Sequence, residues 1–335
     1  MKKLTALLLA VLFVFTLCAC GSGSSFMNQL NDLSNTVPNI NDGGQSTTAK
    51  LTVGTANSVP GYADFTLFKI YSSKKVTAAM GGGIYYENDE TGSTYVDVVL
   101  DWTNTSTETI TNRDLVSAYA VNASGTEYKS CLYVVETDNY TSVSQFENVA
   151  PLSKVRLHCG ISVPETETAL TVVLDVKGQK YTVDYSMGSV QSNAASLSVG
   201  QAVEAADYAT MVFNGIEYTD DLMPSNTSGF YTHYPIDDPA NNTFLIVKFD
   251  ITNYQSTDRD CDTFVGVKAT YMDKYTYTGS VVVEDEDGEG FSGYEDIAPL
   301  STRHFYYMIT VPKSVSAESV VLTVSFNGQE YTYSA

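Results

Sequence analysis

The densest group of side chains able to do chemistry is the acidic segment Glu284–Gly290, which reads EDEDGEG. Counting from Asp285, carboxylates stand at positions one, three and five as Asp285, Asp287 and Glu289, and Asp296 stands at position twelve. Calcium takes oxygen ligands at this spacing, and a cation would relieve the repulsion between crowded carboxylates. The spacing therefore predicts a calcium site, although flanking helices are missing and glutamate usually stands at position twelve. The alternative is a solvated loop between two strands.

Three cysteines lie in the body of the chain, at positions 131, 159 and 261. Cys131 and Cys159 fall on neighbouring predicted strands, and an extracytoplasmic compartment permits a disulfide between them. Two buried free thiols are the alternative, because the second half of the chain has Gly279 and Tyr307 at the equivalent positions. Cys261 has no partner in its own half, and we expect it to be inert.

Histidines are too few and too scattered to indicate catalysis. His158 and His304 lie on alternating segments at outward positions, which predicts solvated strand residues. The chain contains no H-E-x-x-H, C-x-x-C, G-x-S-x-G or Walker A motif. We therefore predict that the protein is not an enzyme. A hydrolase that uses a pair of carboxylates is the remaining catalytic alternative.

Two aromatic segments, 80–87 (MGGGIYYE) and 230–235 (FYTHYP), occupy equivalent places in the two halves of the chain and are candidates for ligand binding. Tyrosine offers a large amphipathic surface at low entropic cost, and loops on a rigid scaffold often carry binding residues. Alternatively, these aromatic side chains cover the open end of their own domain. The candidate binding residues are Tyr85, Tyr86, Phe230, Tyr231, His233 and Tyr234.

Most of the chain after residue 50 alternates apolar and polar residues with a period of two. The runs 98–102 and 155–163 place an apolar residue at every second position. This pattern buries one face of a strand and exposes the other, as in an antiparallel sheet. Turns at Lys177-Gly178 and Asn327-Gly328 separate short strands, as in hairpins. The sequence therefore predicts an all-β fold of β-sandwiches.

The body of the chain is an internal duplication. Ordered blocks recur roughly 150 residues apart, which is the pattern of a repeated domain. We predict a first sandwich over 50–186, a linker over 187–195 and a second sandwich over 196–335. The matching blocks are LTVG and LSVG (51–54, 197–200), APLS in both halves (150–153, 298–301), and GQKYT and GQEYT (178–182, 328–332).

The N-terminus has the pattern of a secretory signal. Lys2 and Lys3 precede an uncharged apolar run over 4–17, which is shorter than the roughly 20 residues that a membrane-spanning helix needs. We therefore predict a signal peptide over 1–19. The following segment, 20–49, is rich in Ser, Asn, Gly and Thr, which predicts a flexible, disordered tether.

The segment Leu17–Gly21 resembles the lipobox of bacterial lipoproteins. The resemblance implies cleavage before Cys20 and a diacylglycerol group on its sulfur. Several acyl chains on one residue, palmitate among them, would anchor the protein stably, whereas one chain would not. The alternatives are an ordinary cleaved signal and a short uncleaved anchor.

The chain as a whole resembles Gram-positive bacterial lipoproteins with tandem immunoglobulin-like domains of unknown function. The resemblance rests on Leu17–Cys20, on strands that end in Thr-Asn, and on the Pro-Leu-Ser and Val-Pro pairs of each half. It implies two immunoglobulin-like antiparallel sandwiches, attached by lipid to the extracytoplasmic face of the cell membrane. The sequence differs from antibody-type domains in one respect. Trp102 has no pair of cysteines around it, and Ile251 stands in its place in the second half.

The charge balance excludes some partners. The chain has 18 Lys and Arg against 39 Asp and Glu, a net charge of -21, which argues against binding nucleic acid. Neutral or cationic partners are favoured. We therefore expect a non-enzymatic binding module at the cell surface, with a protein or glycan ligand and no cofactor except possible calcium. A passive spacer or an assembly subunit of an envelope complex is the alternative.

Overall fold

The computed structural model describes residues 48–81, 83–138, 140–272 and 274–335. The predicted signal peptide, Cys20 and the tether up to residue 47 lie outside the described residues. Within the described ranges no helix is both long enough and apolar enough to cross a membrane. The alternating segments form strands, so the predicted all-β fold of tandem sandwiches is confirmed.

Sandwich one holds its core between two sheets. We call them the β6 sheet, with strand order β11-β10-β13-β6-β3-β16, and the β14 sheet, with order β1-β15-β14-β8-β9. Its strands are β1 (Ala49–Lys50), β2 (Ala56–Val59), β3 (Ala63–Ser73), β4 (Lys75–Thr77), β5 (Tyr85–Glu87), β6 (Ser93–Asn104), β7 (Ile110–Thr111), β8 (Ser117–Asn122), β9 (Glu127–Tyr128), β10 (Cys131–Thr137), β11 (Ser142–Ser144), β12 (Asn148–Val149), β13 (Lys154–Pro164), β14 (Ala169–Val176), β15 (Gln179–Ser186) and β16 (Val190–Ser192).

Sandwich two repeats this plan. Its sheets are the β22 sheet, with order β18-β19-β22-β29-β26-β27, and the β30 sheet, with order β17-β31-β30-β24-β25. Its strands are β17 (Ala195–Ser196), β18 (Ala202–Ala205), β19 (Ala209–Thr219), β20 (Asp221–Leu222), β21 (Tyr234–Pro235), β22 (Asn242–Asn253), β23 (Arg259–Asp260), β24 (Val265–Tyr271), β25 (Tyr275–Thr278), β26 (Ser280–Glu284), β27 (Phe291–Ser292), β28 (Asp296–Ile297), β29 (Thr302–Pro312), β30 (Val320–Phe326) and β31 (Gln329–Ser334).

Each core is built from the inward faces that the alternation predicts. In sandwich one, Trp102 is buried and stacks on Phe65 with ring centroids 5.4 Å apart. In sandwich two, Phe249 and Phe305 take the central positions, and Phe264 packs against Phe305. Apolar burial of this kind is the main source of stability in a sandwich.

The two sandwiches share local irregularities as well as strands. β3 has a bulge between Leu67 and Lys69, and β19 has one between Phe213 and Gly215. A short 3-10 turn follows β7 in sandwich one, and another follows β23 in sandwich two. Because bulges interrupt a ladder at specific positions, their repetition fits a duplicated fold.

The strand pairing differs from the sequence prediction in two places, one in each sandwich's opening strand and one in the predicted linker. The opening strand of each sandwich pairs in parallel with the closing strand, β1 with β15 and β17 with β31. The predicted linker 187–195 contains β16, which pairs with β3. The junction is therefore part of the β6 sheet rather than a free connection.

Candidate functional site

The outer face of the β6 sheet carries ionic contacts to sandwich two. Lys69 Nζ lies 2.8 Å from Glu330 Oε2, and both side chains are largely buried. The Arg156 guanidinium donates a hydrogen bond to the carbonyl oxygen of Gly328, and it also pairs with Asp101. These contacts join β3 and β13 of sandwich one to the β30–β31 hairpin of sandwich two.

The tip of that hairpin fits closely against sandwich one. Gly328 has a φ of +71°, and a Cβ added there would lie 2.4 Å from a ring carbon of Tyr140. Gly178 occupies the equivalent turn of sandwich one with a φ of +86°, and a Cβ there would meet nothing within 4 Å. Only the turn of sandwich two therefore needs glycine for a close approach as well as for its backbone conformation.

His158 is buried at the centre of this face, so the prediction of a solvated strand residue is wrong. Its Nδ1 lies 2.8 Å from Asp97 Oδ2, and its Nε2 lies 2.9 Å from Glu136 Oε1. Burial by itself lowers the pKa of His158, but the charges and hydrogen bonds of Asp97 and Glu136 outweigh it and raise the pKa to about 9. The site therefore holds a charged imidazolium between two carboxylates. His304, by contrast, is exposed as expected.

The cover over this cluster comes from the segment after β4. Ala79 donates its backbone N–H to Glu136 Oε1, and its carbonyl oxygen accepts a hydrogen bond from Ser325 Oγ of sandwich two. Asp97 Oδ1 and Glu136 Oε2 are buried, and no residue that the structure describes donates a hydrogen bond to them. Within the described part of the chain, no group of three or more His, Cys, Asp or Glu is arranged to hold a metal ion.

The second aromatic segment of the sequence packs against the acidic segment. Thr232 donates its backbone N–H to the Glu289 carbonyl oxygen at 2.8 Å, and Asn226 donates to the Gly288 carbonyl oxygen at 2.8 Å. Gly290 permits this approach, because an added Cβ would lie 2.5 Å from Thr232 Oγ1. Aromatic and carboxylate side chains that are about 60 residues apart in the chain thus share one surface.

Aromatic rings are exposed on this part of sandwich two. Phe230 is 87% exposed and Tyr294 is 93% exposed. Tyr234 packs near Phe291 with ring centroids 5.9 Å apart, and Tyr231 packs edge-on near His233. His233 Nδ1 lies 2.7 Å from Asp221 Oδ1. Exposed large aromatics next to polar groups are typical of interaction surfaces.

A groove of about 880 Å³, which we call the aromatic groove, runs between the two sandwiches. Met80, Gly81 and Gly83 of the first aromatic segment line it, and so do Tyr234 of the second segment and Tyr294. Of the six predicted binding residues, all of which the structure describes, Tyr234 alone lines the groove. Ser280, Val281 and Val282 of β26 also line it.

Tyr85 and Tyr86 do not line this groove, and their binding role stays a prediction. They belong to β5, which pairs with β4. The Lys75 ammonium lies 4.1 Å from the centroid of the Tyr85 ring, and Tyr86 packs against the buried cluster around Val76. For Tyr86, the alternative interpretation, in which the aromatic side chain covers its own sandwich, matches the packing.

The four carboxylates of the predicted calcium site do not come together. Asp285 and Gly290 close a turn in which the Asp285 N–H donates to the Gly290 carbonyl oxygen. Asp296 lies in β28, opposite Asp260 of β23. Glu289 Oε1 accepts a hydrogen bond from the Asn226 side chain. The spacing predicts one calcium-binding loop, but the hairpin places position twelve on another strand.

The predicted disulfide is also not formed, because Cys131 and Cys159 are both free thiols. Cys131 pairs with Ile161 across the sheet, whereas Tyr133 stands opposite Cys159, so the two cysteines are diagonal neighbours. Burial raises the pKa of the Cys261 thiol to about 11, as expected for an inert cysteine.

Sequence reasoning missed several residues of these sites, among them Asp97 and Glu136. One signal was available for Asp97, which interrupts the otherwise apolar or aromatic stretch Tyr95–Leu100 in the middle of a strand. Charged residues are rarely buried without partners, so such an interruption indicates a paired buried charge.

The fold defines an all-β protein of two tandem β-sandwiches. A comparison with protein-family models finds no match, and no curated protein matches the chain significantly. Among solved structures, the chain is similar to a crystal structure of an uncharacterised β-sandwich protein from Clostridium difficile 630. The two are 28% identical, the match covers 43% of this chain and 95% of that chain, and the TM-score is 0.40.

Proposed function

We propose that the protein is an extracytoplasmic lipoprotein, anchored in the cell membrane through Cys20, whose sandwiches form a non-enzymatic binding module. The anchor is supported by the sequence: Lys2 and Lys3, the apolar run 4–17, and the lipobox-like Leu17–Gly21. A thioether-linked lipid with several acyl chains would hold the sandwiches at the membrane.

The observation that carries the binding role is the aromatic groove. Both candidate segments contribute to it, the first through Met80–Gly81 and Gly83 and the second through Tyr234. Its volume of about 880 Å³ falls within the range of about 300–1,000 Å³ that is usual for binding clefts. Tyr294 stands at the groove and is 93% exposed, so a partner has a large aromatic side chain to bury.

The chemistry of the groove favours a polypeptide segment that carries Lys or Arg. Asp262 is the charged residue among the described lining residues, and the acidic segment Glu284–Gly290 adjoins Phe291. Lysine and arginine side chains stack on tyrosine rings and pair with carboxylates, as Lys75 does with Tyr85 and Glu87 in this protein. The net charge of -21 would also speed the approach of a basic partner.

A selection from a random peptide library on the full chain in detergent tests this proposal. We expect the selected peptides to be rich in Lys and Arg and to lose at least tenfold in affinity for a variant with Tyr234→Ala and Tyr294→Ala. Tyr254→Ala is the matched control, because Tyr254 is an exposed tyrosine of sandwich two outside the groove. Selection of neutral or acidic peptides would contradict the proposal and favour the passive spacer. So would equal peptide affinity for the Tyr234→Ala/Tyr294→Ala variant and the Tyr254→Ala control.

A further inference from the structure

A second cavity, whose lining shares Thr278 with the aromatic groove, lies between the two sandwiches. It has a volume of about 610 Å³, which suits a small organic ligand. One wall is the outer face of the β6 sheet, with Lys69 and Arg156. The other wall is the outer face of the β24–β25 hairpin, with Lys268 and Thr270.

The charge of this cavity is opposite to that of the whole molecule. The chain has more than twice as many acidic as basic residues, yet more basic than acidic side chains line the cavity. The two carboxylates in the lining are Glu136 and Glu330. The basic side chains in the lining, besides His158, are Lys69, Lys75, Arg156, Lys268 and Lys274.

Most of these cations already have a partner. Lys69 pairs with Glu330, Arg156 with Asp101, and Lys75 with Glu87.

Lys268 differs from them, because among the described residues no side chain lies within ion-pair or hydrogen-bond distance of its Nζ. Burial lowers the pKa of Lys268 and the neighbouring Lys69 ammonium lowers it further, while the charges of Glu330 and Glu136 offset part of this effect. An anion beside Lys268 would give its ammonium a direct ion-pair partner.

Hydroxyl groups surround Lys268 and would complete the hydrogen bonds of an oxyanion. Thr270 and Thr276 face each other across the hairpin with their Oγ1 atoms 3.3 Å apart, and Thr278 and Thr323 also line the cavity. An ammonium and several hydroxyls are donors that carboxylate and phosphate oxygens accept from.

We propose that this cavity binds a small organic anion whose carboxylate or phosphate group pairs with Lys268. The proposed anion site depends on Lys268, which does not line the aromatic groove, so the two proposals can be tested separately. A carboxylate and a phosphate present the same oxygen chemistry to the ammonium and the threonine hydroxyls, and the experiment distinguishes them.

Isothermal titration calorimetry of the full chain in detergent at low salt tests the proposal, with citrate and inorganic phosphate as separate probes. We expect at least one probe to bind with a dissociation constant below 1 mM, and Lys268→Met to weaken it at least tenfold. Lys248→Met is the matched control, because Lys248 is a lysine of sandwich two that pairs with Glu217 outside the cavity. Tighter binding of citrate would identify a carboxylate site, and tighter binding of phosphate a phosphate site.

Failure of both probes to bind the unaltered chain would overturn the proposal. So would equal binding by the Lys268→Met and Lys248→Met variants. Thr323→Val is a second, uncharged change in the cavity wall, and we expect it to weaken binding about threefold. If Lys268→Met does not fold, unchanged binding by the Thr323→Val variant contradicts the site.

Discussion

Lys69 of sandwich one and Glu330 of sandwich two form an ion pair with 2.8 Å between Nζ and Oε2 and only 18% and 7% of the side chains exposed. Removing one partner of such a pair leaves an uncompensated buried charge. The pair therefore couples two domains that the sequence analysis treats as separate. We expect the two sandwiches to unfold together rather than as independent units.

The two equivalent hairpin turns offer a direct test of this coupling. Gly178→Ala strains a left-handed backbone in open space and should cost about 1 kcal/mol. Gly328→Ala carries the same strain and in addition drives a methyl group into the Tyr140 ring, which should cost about 2 kcal/mol more. Urea denaturation of both variants gives the two free energies of unfolding. Equal losses of unfolding free energy in the two variants would show that the Gly328 turn does not pack closely against sandwich one.

The buried His158 predicts a pH dependence of stability. Its pKa in the folded protein is about 9, above the ordinary value of about 6.5, so the folded state binds the proton more tightly. The stabilisation is complete below about pH 6.5 and is lost as the pH rises through 9, at most about 3 kcal/mol. Denaturation measured at a series of pH values from 6 to 10 checks this.

Two histidine variants separate this effect from other titrating groups. Asp97 and Glu136 flank the imidazole, and Lys268 and Tyr71 lie in the same region. We expect His158→Gln to flatten the dependence between pH 6.5 and 9. His304→Gln, a change at an exposed histidine, should preserve it. An unchanged slope in the His158→Gln variant would contradict the assignment.

Asn104 and Asn253 end equivalent strands and fix the loops that follow. Asn104 Nδ2 donates to the Val149 carbonyl oxygen at 2.9 Å, and Asn253 Nδ2 donates to the Ile297 carbonyl oxygen at 2.8 Å. Either asparagine replaced by alanine leaves a buried carbonyl without its donor, and we expect each change to cost about 2–3 kcal/mol.

The partly buried Asn57 provides the control for these variants, because its side chain donates a local hydrogen bond to the Thr55 carbonyl oxygen, two residues away. Thermal unfolding followed by circular dichroism measures all three variants. A large loss from one core asparagine and a negligible loss from the other would argue against equivalent roles in the two sandwiches.

The strands and their duplication follow from the sequence because the period-two alternation is a local property. Inward positions such as Leu100 and Phe249 are buried as the alternation indicates. The burial of His158 could not be read in the same way. A side chain on the outer face of a sheet is exposed to solvent unless another part of the protein packs on that face. Here the residues that pack on it, Ser325 and Gly328, lie far along the chain.

The candidate sites were predictable in part for a similar reason. Aromatic composition located the segments that contain Met80 and Tyr234, which do meet in one groove. It could not show that Tyr86 packs against its own sandwich. The calcium prediction also placed Asp285 and Asp296 in one loop, because it rested on their spacing in the sequence. Strand pairing separates the two residues.

The proposed anchor has a matched control within the chain, because Cys18 and Cys20 stand two residues apart. We expect Cys20→Ser to abolish labelling by radioactive palmitate and to release the protein from the membrane fraction. Cys18→Ser should leave both properties intact. Labelling that survives in the Cys20→Ser variant would contradict lipidation at Cys20.

Site-specific photocrosslinking in the native envelope tests most directly whether the aromatic groove binds a basic polypeptide. A photoreactive phenylalanine derivative replaces Tyr294 in one variant and the exposed Tyr254, outside the groove, in another. We predict that position 294 crosslinks to one protein, through a segment rich in Lys and Arg, and that position 254 does not. Identical crosslinks from both positions, or none from position 294, would contradict the binding role.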